Sequence, residues 1–234
     1  MQPQRTIGVP KEERELVTSL AAALKRADPR SKKNLICTEV DCFQGVADIV
    51  VGKVNGYRLF PRNTSTRKLE LITLSTAKVL SALSGRNAGE VHTVAQRCAL
   101  TSSTVQRQFR ILCNLGLARF EPGGRIRLLR TIKKPFQDIS AFEVKVKDWK
   151  SGLCQARNYR SFANRVSLAL PTNRANRLRS KLAVFRQFGV GLVGINGDSE
   201  LTWFLRPRRC KPISAARNML ASTLLIKRAR RNAA

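Results

Sequence analysis

The chain has 234 residues, with 44 Lys+Arg against 15 Asp+Glu, a formal net charge of +29 at pH 7 and 43% apolar residues. That apolar content supports one large or two small folded units and excludes a wholly disordered basic tail, while the charge excess calls for a polyanionic partner, nucleic acid before a membrane surface. No apolar run approaches the ~18 residues of a membrane span and the N-terminus lacks an apolar signal core, so an intracellular protein with no membrane attachment is expected.

Residues 11–26, KEERELVTSLAAALKR, place Leu16, Leu20 and Leu24 at i, i+4 and i+8, the pattern of an amphipathic helix. Acids fill its first turn, and Asp28-Pro29-Arg30 is expected to stop it. NLICTEVDCF and GVADIVVGKV then read as two strands of a hairpin separated at Gln44-Gly45. From residue 66 to about 134 the pattern turns helical. LELITLSTAKVLSAL, EVHTVAQRCA and SSTVQRQFRILCNLG read as three helices, the last with its N-cap at Thr101 or Ser102, a stripe of Val105, Phe109 and Leu112, and a stop at Gly116. Gly123-Gly124 supplies the tight turn of a basic hairpin.

After Pro135 the strand signal returns. In DISAFEVKVKDW, Phe142, Val144 and Val146 alternate with Glu143, Lys145 and Lys147, which predicts one apolar and one polar face. A helix (WKSGLCQARNYRSFANR), the strand VSLALP, a basic helix (NRLRSKLAVFRQFG), the strands VGLVGIN and ELTWFLRP and a basic C-terminal helix follow. Strands alternate with helices on both sides of the helical stretch, so the expected fold is a single α/β domain from residues 1–65 and 135–234, interrupted by an inserted unit at 66–134.

Cysteine and histidine narrow the chemistry. Cys37, Cys42, Cys98, Cys113, Cys154 and Cys210 form no CxxC pair and are expected to be buried thiols. His92 is the single histidine and has no nucleophile beside it. Enzymatic chemistry would therefore rest on carboxylates, lysine and a hard metal. Asp48 interrupts the apolar run GVADIVVG, where an acid is costly unless paired or ligating. Glu143 and Lys145 are two apart on a strand, on one face at about 7 Å, the types needed to hold a divalent ion and place a cation beside a scissile phosphate.

Two resemblances follow from these residues. The order of three helices, glycine turn and basic strand in 66–134 resembles a winged helix-turn-helix. That resemblance implies that Ser103, Thr104, Gln106, Arg107 and Arg110 face a DNA major groove and that Arg125 and Arg127 reach phosphates. Glu13-Arg14-Glu15-Leu16-Val17 on the first helix, Asp48 in GVADIVV, Glu143-Val144-Lys145, and Gln155 with Tyr159 four residues later resemble the PD-(D/E)xK nuclease superfamily, in its exonuclease-like and Holliday-junction-resolvase-like branches. This implies a restriction-endonuclease-like mixed sheet flanked by helices and a DNA nuclease using Mg²⁺ (or Mn²⁺). Glu13, Asp48 and Glu143 would be metal ligands, Lys145 would assist water, and Gln155 and Tyr159 would support the site. Glu15, Glu39 and Asp41 are rivals to Glu13. The chain departs from the family in carrying Ala47 where the family has Pro, and in the 94 residues between Asp48 and Glu143. The alternative is a non-catalytic DNA-binding regulator on a degenerate nuclease fold. Duplex DNA is the expected partner, charge alone does not separate it from RNA, and a homodimer is left open.

The charge is unevenly spread. Residues 1–65, 66–134, 135–149 and 150–234 carry net +4, +10, −1 and +16, an acidic centre between basic surfaces.

Overall fold

The computed structural model describes residues 11–27, 34–41, 45–55, 60, 64–83, 88–129 and 135–231. The expected helix stop at Asp28-Pro29-Arg30, Cys42 and Gln44 lie outside these residues. The described chain is mixed α/β, with a central mixed sheet flanked by helices.

Helix α1 (Lys11–Ala27) buries Leu20 and Ala23, with Leu16 and Leu24 packed alongside. Glu12 and Glu13 in its first turn and Lys25 and Arg26 in its last oppose the helix dipole. Strands β1 (Asn34–Asp41) and β2 (Val46–Val54) form the expected antiparallel hairpin. A separate helical stretch follows, containing α2 (Thr66–Leu69), α3 (Leu74–Leu83), β3 (Ala88–Glu90), α4 (Val91–Cys98), α5 (Ser102–Asn114), β4 (Ala118–Glu121) and β5 (Arg125–Leu128). The chain then returns to the main sheet with β6 (Phe136–Val144), α6 (Trp149–Asn158), β7 (Arg165–Pro171), α7 (Thr172–Arg177), α8 (Leu182–Phe188), β8 (Val190–Ile195), β9 (Leu201–Leu205) and α9 (Ala215–Arg231).

The main sheet has the order β1-β2-β6-β7-β8-β9. β6 lies antiparallel to β2 and parallel to β7, β8 is parallel to β7, and β9 is an antiparallel edge. Apolar side chains line both faces. On one, Leu20 of α1 packs with Ile49, Phe142, Val144 and Val193; on the other, Leu153 and Ala156 of α6, Phe185 of α8 and Leu225 of α9 cover Val50, Ala141, Leu168 and Leu192. β6 is thus covered on both sides: Phe142 and Val144 face α1 as the alternation predicts, but Glu143 on the polar face is buried too, and the strand ends at Val144, with Lys147 beyond it exposed.

The helical stretch has its own three-stranded sheet, in the order β3-β5-β4. Its core gathers Leu80, Leu83, Val94, Val105, Phe109, Leu112, Leu117 and Ile126. Thr101 is the N-cap of α5, its side chain accepting from the Thr104 N–H, and Gly116 takes the left-handed conformation after the helix, at φ 68°. Gly123 and Gly124 each turn the hairpin at φ 73°, where a side chain would be strained.

Three expectations change here. The helix expected over LELITLSTAKVLSAL forms only from Leu74: the short α2, capped by Ser65 through the Lys68 N–H, ends at Leu69, and Thr73 and Thr76 exchange hydroxyl–amide bonds of 3.3 Å at the start of α3. The basic helix after β7 is likewise divided, into α7 and α8. Helix α9 contributes Ala216, Met219 and Leu220 to the core of the helical stretch and Ala221 and Leu225 to that of the main sheet, so the C-terminal helix belongs to both cores.

Candidate functional site

The β2–β6 register brings the two strand carboxylates together. Ile49 stands opposite Phe142, so one step further along Asp48 faces Glu143 across the ladder. Asp48 Oδ2 accepts from the Val144 N–H at 2.7 Å. Burial raises the Asp48 carboxyl above its ordinary value. The Val144 N–H and the Lys145 charge act against that rise, while Glu13 and Glu39 add to it.

Glu143 is 3% exposed. One oxygen, Oε1, lies 2.8 Å from Lys145 Nζ, and the other accepts from the Tyr159 hydroxyl. That hydroxyl also lies 2.8 Å from the Val46 carbonyl, which ties the start of β2 to the site. Burial and the nearby Asp48 charge push the Glu143 carboxyl up to about 7, against the lowering by Lys145 and Tyr159.

Lys145 follows β6 directly and reaches between the two helical layers. Its Nζ is 3.8 Å from Glu13 on α1, while its stem lies against α6. A Cβ at Gly152 would stand 2.8 Å from Lys145 Cγ and 2.6 Å from Leu168 Cδ1, so the absence of a side chain on α6 makes room for the lysine. Burial works against the lysine charge. The hydrogen bond and charge of Glu143, with Glu13 and Asp48, outweigh it and raise the Lys145 pKa, so the group is an ammonium ion at neutral pH.

Of the four acids considered as a third ligand, Glu13 is the one in contact with Lys145. Glu39 stands on β1 with a left-handed φ of 51°, and Asp48 feels its charge; Glu15 and Asp41 are exposed. Among the described residues no three His, Cys, Asp or Glu side chains form a group that could hold a metal ion. The expected set of Glu13, Asp48 and Glu143 is therefore drawn together only in part, with Glu13 joined through Lys145. Asp48 and Glu143 are adjacent oxygen donors whose ionisation burial penalises, a donor set that suits a hard divalent cation such as Mg²⁺.

Gln155 and Tyr159 part company. Gln155 is exposed on α6, whereas Tyr159 opens a 3₁₀ turn after the helix and buries its ring. The pair expected to act together at i, i+4 therefore meets two environments, solvent for Gln155 and the buried site for Tyr159. The Val144 N–H, the Val46 carbonyl and Gly152 were not anticipated. Two of these act through the backbone, and Gly152 gave only the signal of a glycine inside a helical pattern.

On the helical stretch, Ser103, Gln106, Arg107 and Arg110 are exposed along α5, and Arg125 and Arg127 are exposed on β5. Thr104 is half-buried, and its N–H and hydroxyl both meet Thr101 Oγ1, so it belongs to the helix cap. Arg127 and Arg119 both pair with Glu121, at 3.0 and 3.3 Å, whereas Arg125 is exposed beside them on β5. His92 is exposed, with Nδ1 3.5 Å from Glu90. The buried-thiol expectation holds for Cys37 and Cys98; Cys113 and Cys210 are half-buried and Cys154 is exposed. Among the described residues no helix is long and apolar enough to cross a membrane. No family model matches the chain, and no curated protein or solved structure matches it.

Proposed function

We propose that the chain is a divalent-metal-dependent DNA nuclease of the PD-(D/E)xK type, docked on duplex DNA by an inserted winged helix-turn-helix at 66–134. The observation that supports this most is the meeting of Asp48, Glu143, Lys145 and Tyr159 at one end of a six-stranded mixed sheet. Asp48 and Glu143 would hold Mg²⁺ or Mn²⁺, which when bound supplies positive charge to the scissile phosphate and acidifies water. Lys145, an ammonium ion here, stabilises charge developing on the phosphate and does not act as a base. Tyr159 fixes the Glu143 carboxylate and Glu13 steadies the lysine. Gln155, exposed one turn earlier, faces the solvent side, where a substrate strand would run. Arg107, Arg110 and Arg125 supply the duplex contacts of the basic helical unit.

A non-catalytic DNA-binding role is the second reading. It is favoured by the incomplete gathering of acids around the site. Incubating the purified chain with circular and end-labelled linear duplex separates the two. Cleavage in Mg²⁺ and none in EDTA is the expected result, and intact DNA of both forms despite measurable binding would leave the regulator reading. Arg107→Ala should weaken duplex binding and flatten its salt dependence by about 0.9 in log–log slope; an unchanged slope would reject the docking surface.

A further inference from the structure

A second cluster of cations lies away from the carboxylates, between the helical stretch and the main sheet. An open cavity of about 920 Å³ is lined by Lys78 of α3, Arg157 of α6, Arg160 and Ser161 of the following 3₁₀ turn, and Ser214 and Arg217 at the start of α9. Among the described residues no acidic side chain lines it. None of the four cations forms an ion pair among the described residues, although the chain contains 15 acids. Two of the guanidinium groups are held in place: Arg157 stands over the Phe188 ring at 5.0 Å and Arg160 donates to the Phe188 carbonyl at 3.2 Å. Ser161 is only 8% exposed, and its hydroxyl oxygen is buried with no hydrogen-bond partner. A buried hydroxyl without a partner is rare, and its residue is one of those around a cavity whose charged lining, among the described residues, is positive.

We propose that this cavity is a phosphate-binding site that holds the backbone of a nucleic-acid strand between the two parts of the molecule. Four cations with no ion pair among the described residues are enough to neutralise several phosphates of one strand. Among the described residues no aromatic side chain lines the cavity to stack a base, so its lining recognises phosphate. This favours a strand over a free nucleotide. Because Lys78 comes from the helical stretch, Arg157 and Arg160 from the main-sheet side and Arg217 from α9, which joins both cores, a strand in the cavity would touch both parts. Arg160 and Ser161 follow Tyr159 in the same turn, so the turn that carries the hydroxyl partner of Glu143 would also carry this contact.

Binding without cleavage tests the site independently of any nuclease activity. The full chain, kept in EDTA, is titrated with labelled duplex and with labelled single strand between about 50 and 200 mM salt, and its melting temperature is followed with added tripolyphosphate. The Lys78→Gln/Arg217→Gln double variant should lose at least tenfold in affinity, and its log–log salt slope should flatten by about 1.8, two phosphate contacts. If the double variant does not fold by circular dichroism, Lys78→Gln alone should flatten the slope by about 0.9. Wild-type affinity and slope in the folded variants would overturn the proposal. So would tripolyphosphate stabilisation lost in the variants while nucleic-acid binding is untouched, which would assign the cavity to a free polyphosphate.

Discussion

Glu143 makes the folded chain sensitive to pH in a way that one substitution should remove. Its carboxyl titrates at about 7 in the fold against an ordinary value of 4.5, a difference equivalent to about 3 kcal/mol against the ionised form. Because the folded-state pKa is the higher one, between pH 4.5 and about 7 the folded chain binds the extra proton and its stability falls as pH rises. Above about 7 the loss is complete. Asp48, also raised, acts in the same direction, whereas the raised Lys145 contributes stability that is lost only in the alkaline range of lysine. Glu143→Gln keeps the shape and the Tyr159 contact but cannot ionise, so it should match the wild type near pH 5 and exceed it at pH 8 by up to about 3 kcal/mol, roughly 6 to 12 °C in melting temperature for a chain of this size. Thermal unfolding of both proteins from pH 5 to 8.5 in EDTA measures the difference. Adding Mg²⁺ at pH 8 should recover part of it in the wild type and none in the variant. Parallel melting curves across the whole range would refute the assignment of a buried, proton-binding Glu143.

Two further substitutions probe the groups around it. Tyr159→Phe removes the hydroxyl that favours the ionised Glu143, so cleavage should fall more at pH 7 than at pH 9, with about 1 kcal/mol lost in denaturant unfolding; a pH profile identical to wild type would show that the hydroxyl does not tune the acid. Gly152→Ala places a methyl 2.6 Å from Leu168 Cδ1 and 2.8 Å from Lys145 Cγ, and should cost about 1 to 3 kcal/mol while displacing the lysine and slowing cleavage. Normal stability together with normal cleavage would contradict the tight seat of Lys145.

Local chemistry made much of this legible. The leucines of α1, the β1–β2 hairpin, the Thr101 cap, the Gly116 stop and the Gly123-Gly124 turn each follow from residues within a few positions of one another. Asp48 stood out because an acid in an apolar strand needs a reason, and that reason is the Val144 N–H and the Glu143 face across the ladder. What escaped depends on contacts distant in sequence. The alternation at 142–147 reads as a half-wet strand, and only the arrival of α1 on one face and α6 on the other buries Glu143. Glu13, Glu15, Glu39 and Asp41 are equivalent on paper, and the path of α1 across the sheet alone brings Glu13 to Lys145. β3 is three residues long and contains a glycine, too little for a period to register. Helix α9 showed its basic character in sequence but gave no sign that its apolar residues divide between two cores.

The most direct measurement is the single-turnover cleavage rate of duplex DNA in saturating Mg²⁺, for the wild type and for Asp48→Ala, Glu143→Ala and Lys145→Ala, with binding affinity measured in parallel. Loss of the metal-dependent rate in all three variants at nearly unchanged affinity is the expected result, because these groups serve the chemistry and not the phosphate contacts. Cleavage by all three at the wild-type rate would contradict a nuclease site at Asp48, Glu143 and Lys145.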